Sequence, residues 1–170
     1  TLNILNLKTA EKQTISEVTD YKIAANGNYL VVLKTGVNNK ISLVVQDWKG
    51  QELKSIENVK AWYPNPQNSA IAYVTDSGKQ HTVEVLQIDK KIQTHTVVVE
   101  TGAGFHNFAW QSNGEAFCFL HHPLEGLQEQ NTKGKLFTFR SKDKRTFVFD
   151  PKAQKDFPEE STISDSDYNP

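Results

Sequence analysis

The chain has no methionine and a single cysteine. One thiol, Cys118, cannot form an internal disulfide, so packing and hydrogen bonds alone must hold any fold. Cys118 lies between Phe117 and Phe119, where it reads as a small buried hydrophobe. The missing methionine implies that Thr1 is not a natural start and that a segment upstream has been removed. The opening residues carry neither a basic stretch nor a long apolar one, which excludes a signal peptide at this position. Charge of one sign is also lacking: 19 basic and 20 acidic side chains leave a formal net charge of −1. A nucleic-acid surface needs a basic excess to displace counterions from phosphates, so that class of partner is excluded. No apolar run approaches the ~18 residues of a membrane helix. The longest runs, residues 29–33 and 116–120, have strand length. No segment of ten or more residues carries a helical stripe, and residues 123–128 and 152–155 are each expected to form a single turn at most.

What the chain does have is a repeat. Residues 21–33, 62–74 and 108–120 align, at offsets of about 41 and then 46 residues. Each opens on an aromatic (Tyr21, Trp62, Phe108), passes through a small turn and closes on an apolar run. Two of the turns are Asn-Gly, at Asn26-Gly27 and Asn113-Gly114, the strongest short hairpin signal because both residues tolerate positive φ. A second kind of hairpin, with charged turns, appears four times, at residues 2–18, 41–56, 83–100 and 136–149. Its strands alternate apolar and polar side chains, as in Ile41, Leu43 and Val45, or Phe147 and Phe149. Joined, the two kinds make four-stranded antiparallel units at the spacing of propeller blades, ~40–50 residues each.

The expected fold is therefore all-β, a partial β-propeller of about three and a half blades. Residues 1–20 are expected as an outer half-blade, 21–58, 59–100 and 101–150 as blades, and 151–170 as a linker toward a missing blade. A β-sandwich of similar strand count competes, but repeated turn chemistry at fixed spacing favours the propeller. Residues 2–7, apolar and free of charge and proline, are expected to leave an unpaired inner edge. That edge, or the flank around residues 117–149, invites self-association.

The run Leu5-Asn6-Leu7-Lys8-Thr9, the strand at 15–18 and the Tyr21 to Leu33 turn-strand unit resemble blades of the S9, or prolyl oligopeptidase, family of serine peptidases. Residues 147–158 and 163–170 resemble the linker into a further blade in large bacterial members. TolB-like interaction propellers share the same turns and give the alternative reading. The S9 resemblance implies a propeller that caps an α/β-hydrolase domain of the same parent chain and filters peptide substrates, and it favours a bacterial periplasm. The family's nucleophile elbow, Gly-x-Ser-x-Gly, does not occur in these 170 residues. No catalytic residue, cofactor or metal is therefore assigned. Glu159 and Glu160 sit beside Pro158 and do not form the double-glutamate helix of the dipeptidyl-peptidase branch.

Candidate partner- or substrate-facing residues are His121, His122 and Glu125, in a long insertion after the third repeat, with Phe105 and His106. The insertion at 121–134 and the connections at 101–107 and 151–167 are expected as loops on one propeller face. Adjacent histidines on a strand point to opposite faces, which argues against a shared metal. Gly102 and Gly104 precede no helix, so phosphate binding is not expected. Asp165 and Asp167 lack the other ligands of a calcium loop. Trp48, Trp62 and Trp110 are expected to pack between blades. A propeller glycosidase would need carboxylates at the inner strands, read here as residues 21–24, 61–64 and 107–111, which carry none.

Overall fold

The computed structural model describes residues 1–89, 91–123, 134–158, 161 and 163. β1 (Leu2–Leu5) pairs with β2 (Lys12–Ile15) as a two-stranded sheet. Blade 1 follows, in spatial order β3 (Val18–Ile23), β4 (Tyr29–Thr35), β5 (Ile41–Asp47) and β6 (Glu52–Ile56). Blade 2 is β7 (Val59–Pro64), β8 (Ala70–Asp76), β9 (Gln80–Ile88) and β10 (Ile92–Thr101). Blade 3 is β11 (Ala103–Trp110), β12 (Ala116–Pro123), β13 (Lys135–Arg140) and β14 (Arg145–Phe149). Every pairing is antiparallel between chain neighbours, so each blade is a meander built from local hairpins.

The first turn of each blade shows why the repeat is visible in sequence. Gly27, Asn68 and Gly114 occupy equivalent places and have φ of 70°, 53° and 69°. Only glycine and, at modest cost, asparagine enter that left-handed region readily, so the position accepts little else. In blades 1 and 3 the asparagine before the glycine closes the turn. Asn26 Oδ1 accepts from Asn28 N at 2.9 Å, and Asn113 Oδ1 accepts from Glu115 N at 3.0 Å.

Strand alternation sends successive side chains to opposite faces of a blade, and each face meets a different neighbour. On β8, Ile71 and Tyr73 pack toward blade 1 with Val31, Leu43 and Val45, while Ala70, Ala72 and Val74 pack toward blade 3. On β12, Phe117 and Phe119 turn back to meet that small face, joined by Phe137 and Phe139 of β13. Leu30, Val32 and Val44 of blade 1 pack against Ile15, Leu2 and Ile4 of the half-blade. The core is thus a series of seams between sheets, not one central cluster.

Polar bridges lock the seams at the end of the molecule that carries the first turns. Asn26 Nδ2 donates to Asp89 O at 2.6 Å, Ala25 N to Asn68 O at 3.0 Å, and Gln67 Nε2 to Ser112 O at 2.8 Å. Asn65, 2 % exposed, accepts from Ser69 N and Ala70 N and donates to Ser69 Oγ and Gly114 O. Trp110 donates to Tyr63 O at 2.7 Å, and Trp62 packs into the seam between blades 1 and 2, as expected for inter-blade aromatics. Trp48 instead lies exposed and donates to Gly27 O within its own blade.

Several expected boundaries move. Asn6 Oδ1 accepts from Lys8 N and Thr9 N, which ends β1 at Leu5 instead of residue 7. Glu17, at φ 61°, turns the chain so that β2 stops at Ile15 and Val18 already belongs to β3. The inner strand of blade 1 therefore contains Asp20, although its equivalent in the sequence reading carried no acid. The segment 101–107, expected as a loop, is almost all strand. Gly102 at φ 68° makes the whole connection from β10 to β11. Of the expected single turns, the second becomes a 3-10 turn at Pro151–Ala153, capped by Asp150, whose carboxylate accepts from Lys152 N. Pro123 ends β12, and residues 124–133 lie outside the described residues.

Candidate functional site

The candidate residues assemble at one corner of blade 3, on strands and not on loops. Phe105 and His106 belong to β11, and His121 and His122 to β12, because the short Gly102 connection leaves room for long paired strands. Register places Phe105 opposite His121, His106 opposite Leu120 and Gly104 opposite His122. Glu125 lies outside the described residues.

Alternation then separates the histidines. His121 points into the seam with blade 2, where it is 7 % exposed. Its ring lies 5.7 Å from Phe105 and 5.8 Å from Phe137. Burial pushes its pKa below the ordinary histidine value, opposed by the negative charge of Glu100. A neutral, apolar-packed imidazole is a core group with one unmet demand: its buried Nδ1 has no hydrogen-bond partner among the described residues. His122 and His106 share the opposite face, stacked with centroids 4.6 Å apart. A Cβ at Gly134 would come within 2.8 Å of His122 Cε1, so Gly134 is the residue type that leaves this ring its place. Among the described residues no group of three His, Cys, Asp or Glu side chains could hold a metal.

Two further features went unread in the sequence. At the opposite end, an open groove of about 430 Å³ lies between the turns of blades 2 and 3. Asn65, Ser69, Gln87, Asp89, Lys91 and Ser141 contribute to its wall. It offers amide, hydroxyl and ionic groups. Its carboxylate and lysine belong to one hairpin turn, which neither a periodicity nor a motif could connect to Ser141.

The second is the outer face of blade 3, turned away from blade 2. The side chains of β12 and β13 that face away from blade 2 are Ala116, Cys118, Leu120, Leu136, Thr138 and Arg140, by register with the seam residues. Cys118 is half-buried there, not fully enclosed as expected, because its neighbours Phe117 and Phe119 took the seam. Partial burial raises the thiol pKa, which makes it a poor nucleophile. On β14, Phe147 and Phe149 lie on this same face, 49 % and 39 % exposed; Phe157 packs edge-on to Phe149 with ring centroids 6.0 Å apart, and Leu120 is buried.

No family model matches the chain, and no curated protein matches it. Solved structures do. The β-propeller domain of the Trilobed protease from Pyrococcus furiosus is similar over 78 % of this chain and 42 % of its own length, with a TM-score of 0.53 and 13 % identity. An uncharacterized protein from Listeria monocytogenes is similar over 81 % of this chain and 42 % of that one (TM-score 0.52, 9 % identity). Kuenenia stuttgartiensis hydrazine synthase is similar over 86 % and 46 % (TM-score 0.50, 12 % identity). The chain is part of a β-propeller. It spans less than half the length of each of these structures. At these identities the likeness establishes the arrangement of blades and nothing about chemistry.

Proposed function

We propose that this chain is a non-catalytic propeller segment of a larger serine peptidase of the prolyl oligopeptidase type. In that setting it caps the hydrolase domain and restricts which peptides reach the nucleophile. The observation that carries the reading is the agreement of two independent signals. The blade motifs around Leu5 to Thr9 and Tyr21 to Leu33 resemble that family's propeller, and the blade arrangement is similar to the propeller domain of a protease. The chain itself supplies packing surface and no nucleophile elbow.

The reading frame that encodes this chain provides the test. A downstream Gly-x-Ser-x-Gly followed by Asp and His supports the proposal, and a frame without them overturns it. The purified chain should hydrolyse neither peptide nor acyl substrates. Turnover abolished by a serine-reactive inhibitor would contradict the non-catalytic role. A stand-alone interaction propeller of the TolB-like sort is the second reading. It is favoured by the equal likeness to structures whose names specify no peptidase.

A further inference from the structure

We propose that the seam between blades 2 and 3 ends in an acid-released latch: when His121 takes up a proton, the ends of β11 and β12 part from blade 2 while the aromatic middle of the seam stays closed. This rests on the fold and not on the peptidase reading.

Register shows how this seam changes along its length. In its middle, Val83, Phe119 and Phe137 meet, and the packing is apolar. Further along the strands, away from the first turns, blade 2 carries Asp76, His81 and Glu100, paired in one row across β8, β9 and β10. Blade 3 answers with Phe105, His121 and Lys135, paired in one row across β11, β12 and β13. Paired residues of an antiparallel sheet share a face, and every second residue of a strand returns to it. Val74, Val83, Val98, Phe119 and Phe137 therefore turn both rows into the seam, because Asp76, His81, Glu100, His121 and Lys135 each stand two places from one of them. The layer that closes the seam is ionisable where the rest is apolar.

Within that layer the charged groups toward its margins are bridged. Asp76 is paired with Lys60, and Lys135 with Asp150 at 3.1 Å. His81, 6 % exposed, stands between Asp76 and Glu100, with Nε2 3.7 Å from Asp76 Oδ1. His121 is placed differently. Its ring is 7 % exposed and packs between Phe105 and Phe137, at 5.7 and 5.8 Å. Among the described residues, the charges that act on it are Glu100 from β10, which favours a proton, and Lys135 from β13, which opposes one together with His122 on its own strand. Burial outweighs them all, so an imidazolium here lacks the hydration it needs and regains it only by letting water into the layer. Opening the end of the seam is the least costly way, since Phe117, Phe119, Phe137 and Phe139 hold the middle. The latch is shut at neutral pH, and release begins as pH falls below the ordinary histidine value of about 6.5.

Hydrogen exchange of the whole chain at pH 7 and at pH 5, corrected for the intrinsic exchange rate at each, tests this. Protection of the amides at 104–106 and 119–122 should fall about tenfold at the lower pH, the ratio that displacing one proton equilibrium by about a unit allows. The amides at 71–74 and 137–139 should keep theirs. His121→Phe, which leaves an aromatic ring between Phe105 and Phe137, should abolish the fall. Glu100→Gln should deepen it, because the imidazolium loses the one charge that favours it. A purely structural effect of that substitution would instead lower protection equally at both pH values. Circular dichroism checks that each variant keeps its fold. Protection that does not change with pH overturns the proposal, as does a fall spread evenly along the chain. So does a fall that survives His121→Phe or is not deepened by Glu100→Gln.

Discussion

The seam between blades 1 and 2 and the seam between blades 2 and 3 fill the same kind of space by different means. The first is aliphatic on both sides, with Val31, Leu43 and Val45 meeting Ile71, Leu86 and Ile88, and Tyr73 as its one buried aromatic. In the second, blade 2 contributes only alanine and valine from β8 and β9, and blade 3 answers with four phenylalanines. Around them stack Tyr63 and Phe108, 4.2 Å apart, and Phe108 and Phe119, 4.8 Å apart. Sheet spacing is set by backbone pleat and side-chain volume together. What a seam requires is therefore the sum of the two faces and not the size of either. The difference shows on a single strand: β8 presents Ile71 and Tyr73 to one neighbour and Ala70, Ala72 and Val74 to the other.

That contrast makes the second seam the more fragile to truncation. Phe119→Ala should cost about 3–5 kcal/mol, since a ring fully buried among other rings leaves a void that rigid neighbours fill poorly. Leu43→Ala in the aliphatic seam should cost about 2–4 kcal/mol, toward the lower half of the range for such changes. Urea unfolding of both variants breaks the comparison if Leu43→Ala proves the costlier. Overpacking should separate the second seam from the outer face of blade 3. Ala72→Leu, facing Phe117 and Phe119, should lose about 1–3 kcal/mol. Cys118→Leu, at the equivalent place one blade on, should lose less, about 0.5 kcal/mol, because Cys118 is only half-buried. Equal losses at the two positions would show that Cys118 is as tightly enclosed as Ala72.

The polar bridges should follow the same order. Asn65→Ala strands the buried amide hydrogens of Ser69 and Ala70 beside the aromatic seam, at a cost of about 1–3 kcal/mol. Asn26→Ala at the aliphatic seam removes a more exposed bridge worth about 0.5–1.5 kcal/mol.

The smallest effect concerns pH, and it too distinguishes the seams. His121 has its folded pKa depressed by burial, so on acidification the unfolded chain takes up the proton first. Its contribution is complete above the ordinary histidine value of about 6.5 and declines as pH falls below it. Carboxylates such as Asp76, lowered by its hydrogen bond with Lys60, act only further down, below the usual carboxylate range. Thermal unfolding between pH 7 and 5 should show a fall in midpoint that His121→Phe reduces. An unchanged slope in that variant would mean that His121 is already solvated or paired.

Much of this was legible in the sequence, and the legible parts share a cause. Asn26-Gly27 and Asn113-Gly114 announced their hairpins because positive φ is a property of the residue itself. The alternation of Ile41, Leu43 and Val45 announced a strand because one face of it had to be dry. These local signals fixed blade number, strand order and the half-blade at the start. They did less well where a boundary rested on one unusual residue. Glu17 in a left-handed conformation and Gly102 as an entire connection have no periodic signature, so β2, β3, β10 and β11 were misjudged at their ends.

The candidate site shows the other limit. The sequence brought His121 and His122 together as neighbours, and Phe105 and His106 likewise. Strand pleating then divided each pair, sending His121 and Phe105 into the seam and pairing His122 with His106 on the far side. Cys118 met the same rule between its two phenylalanines. Sequence by itself determined that there would be sheets with two apolar faces, since every blade carries hydrophobic residues on both parities of its second strand. Only the tertiary structure decided which parity faces which neighbour. That choice depends on the summed volume across a seam, a quantity shared between segments some 45 residues apart and present in neither one alone.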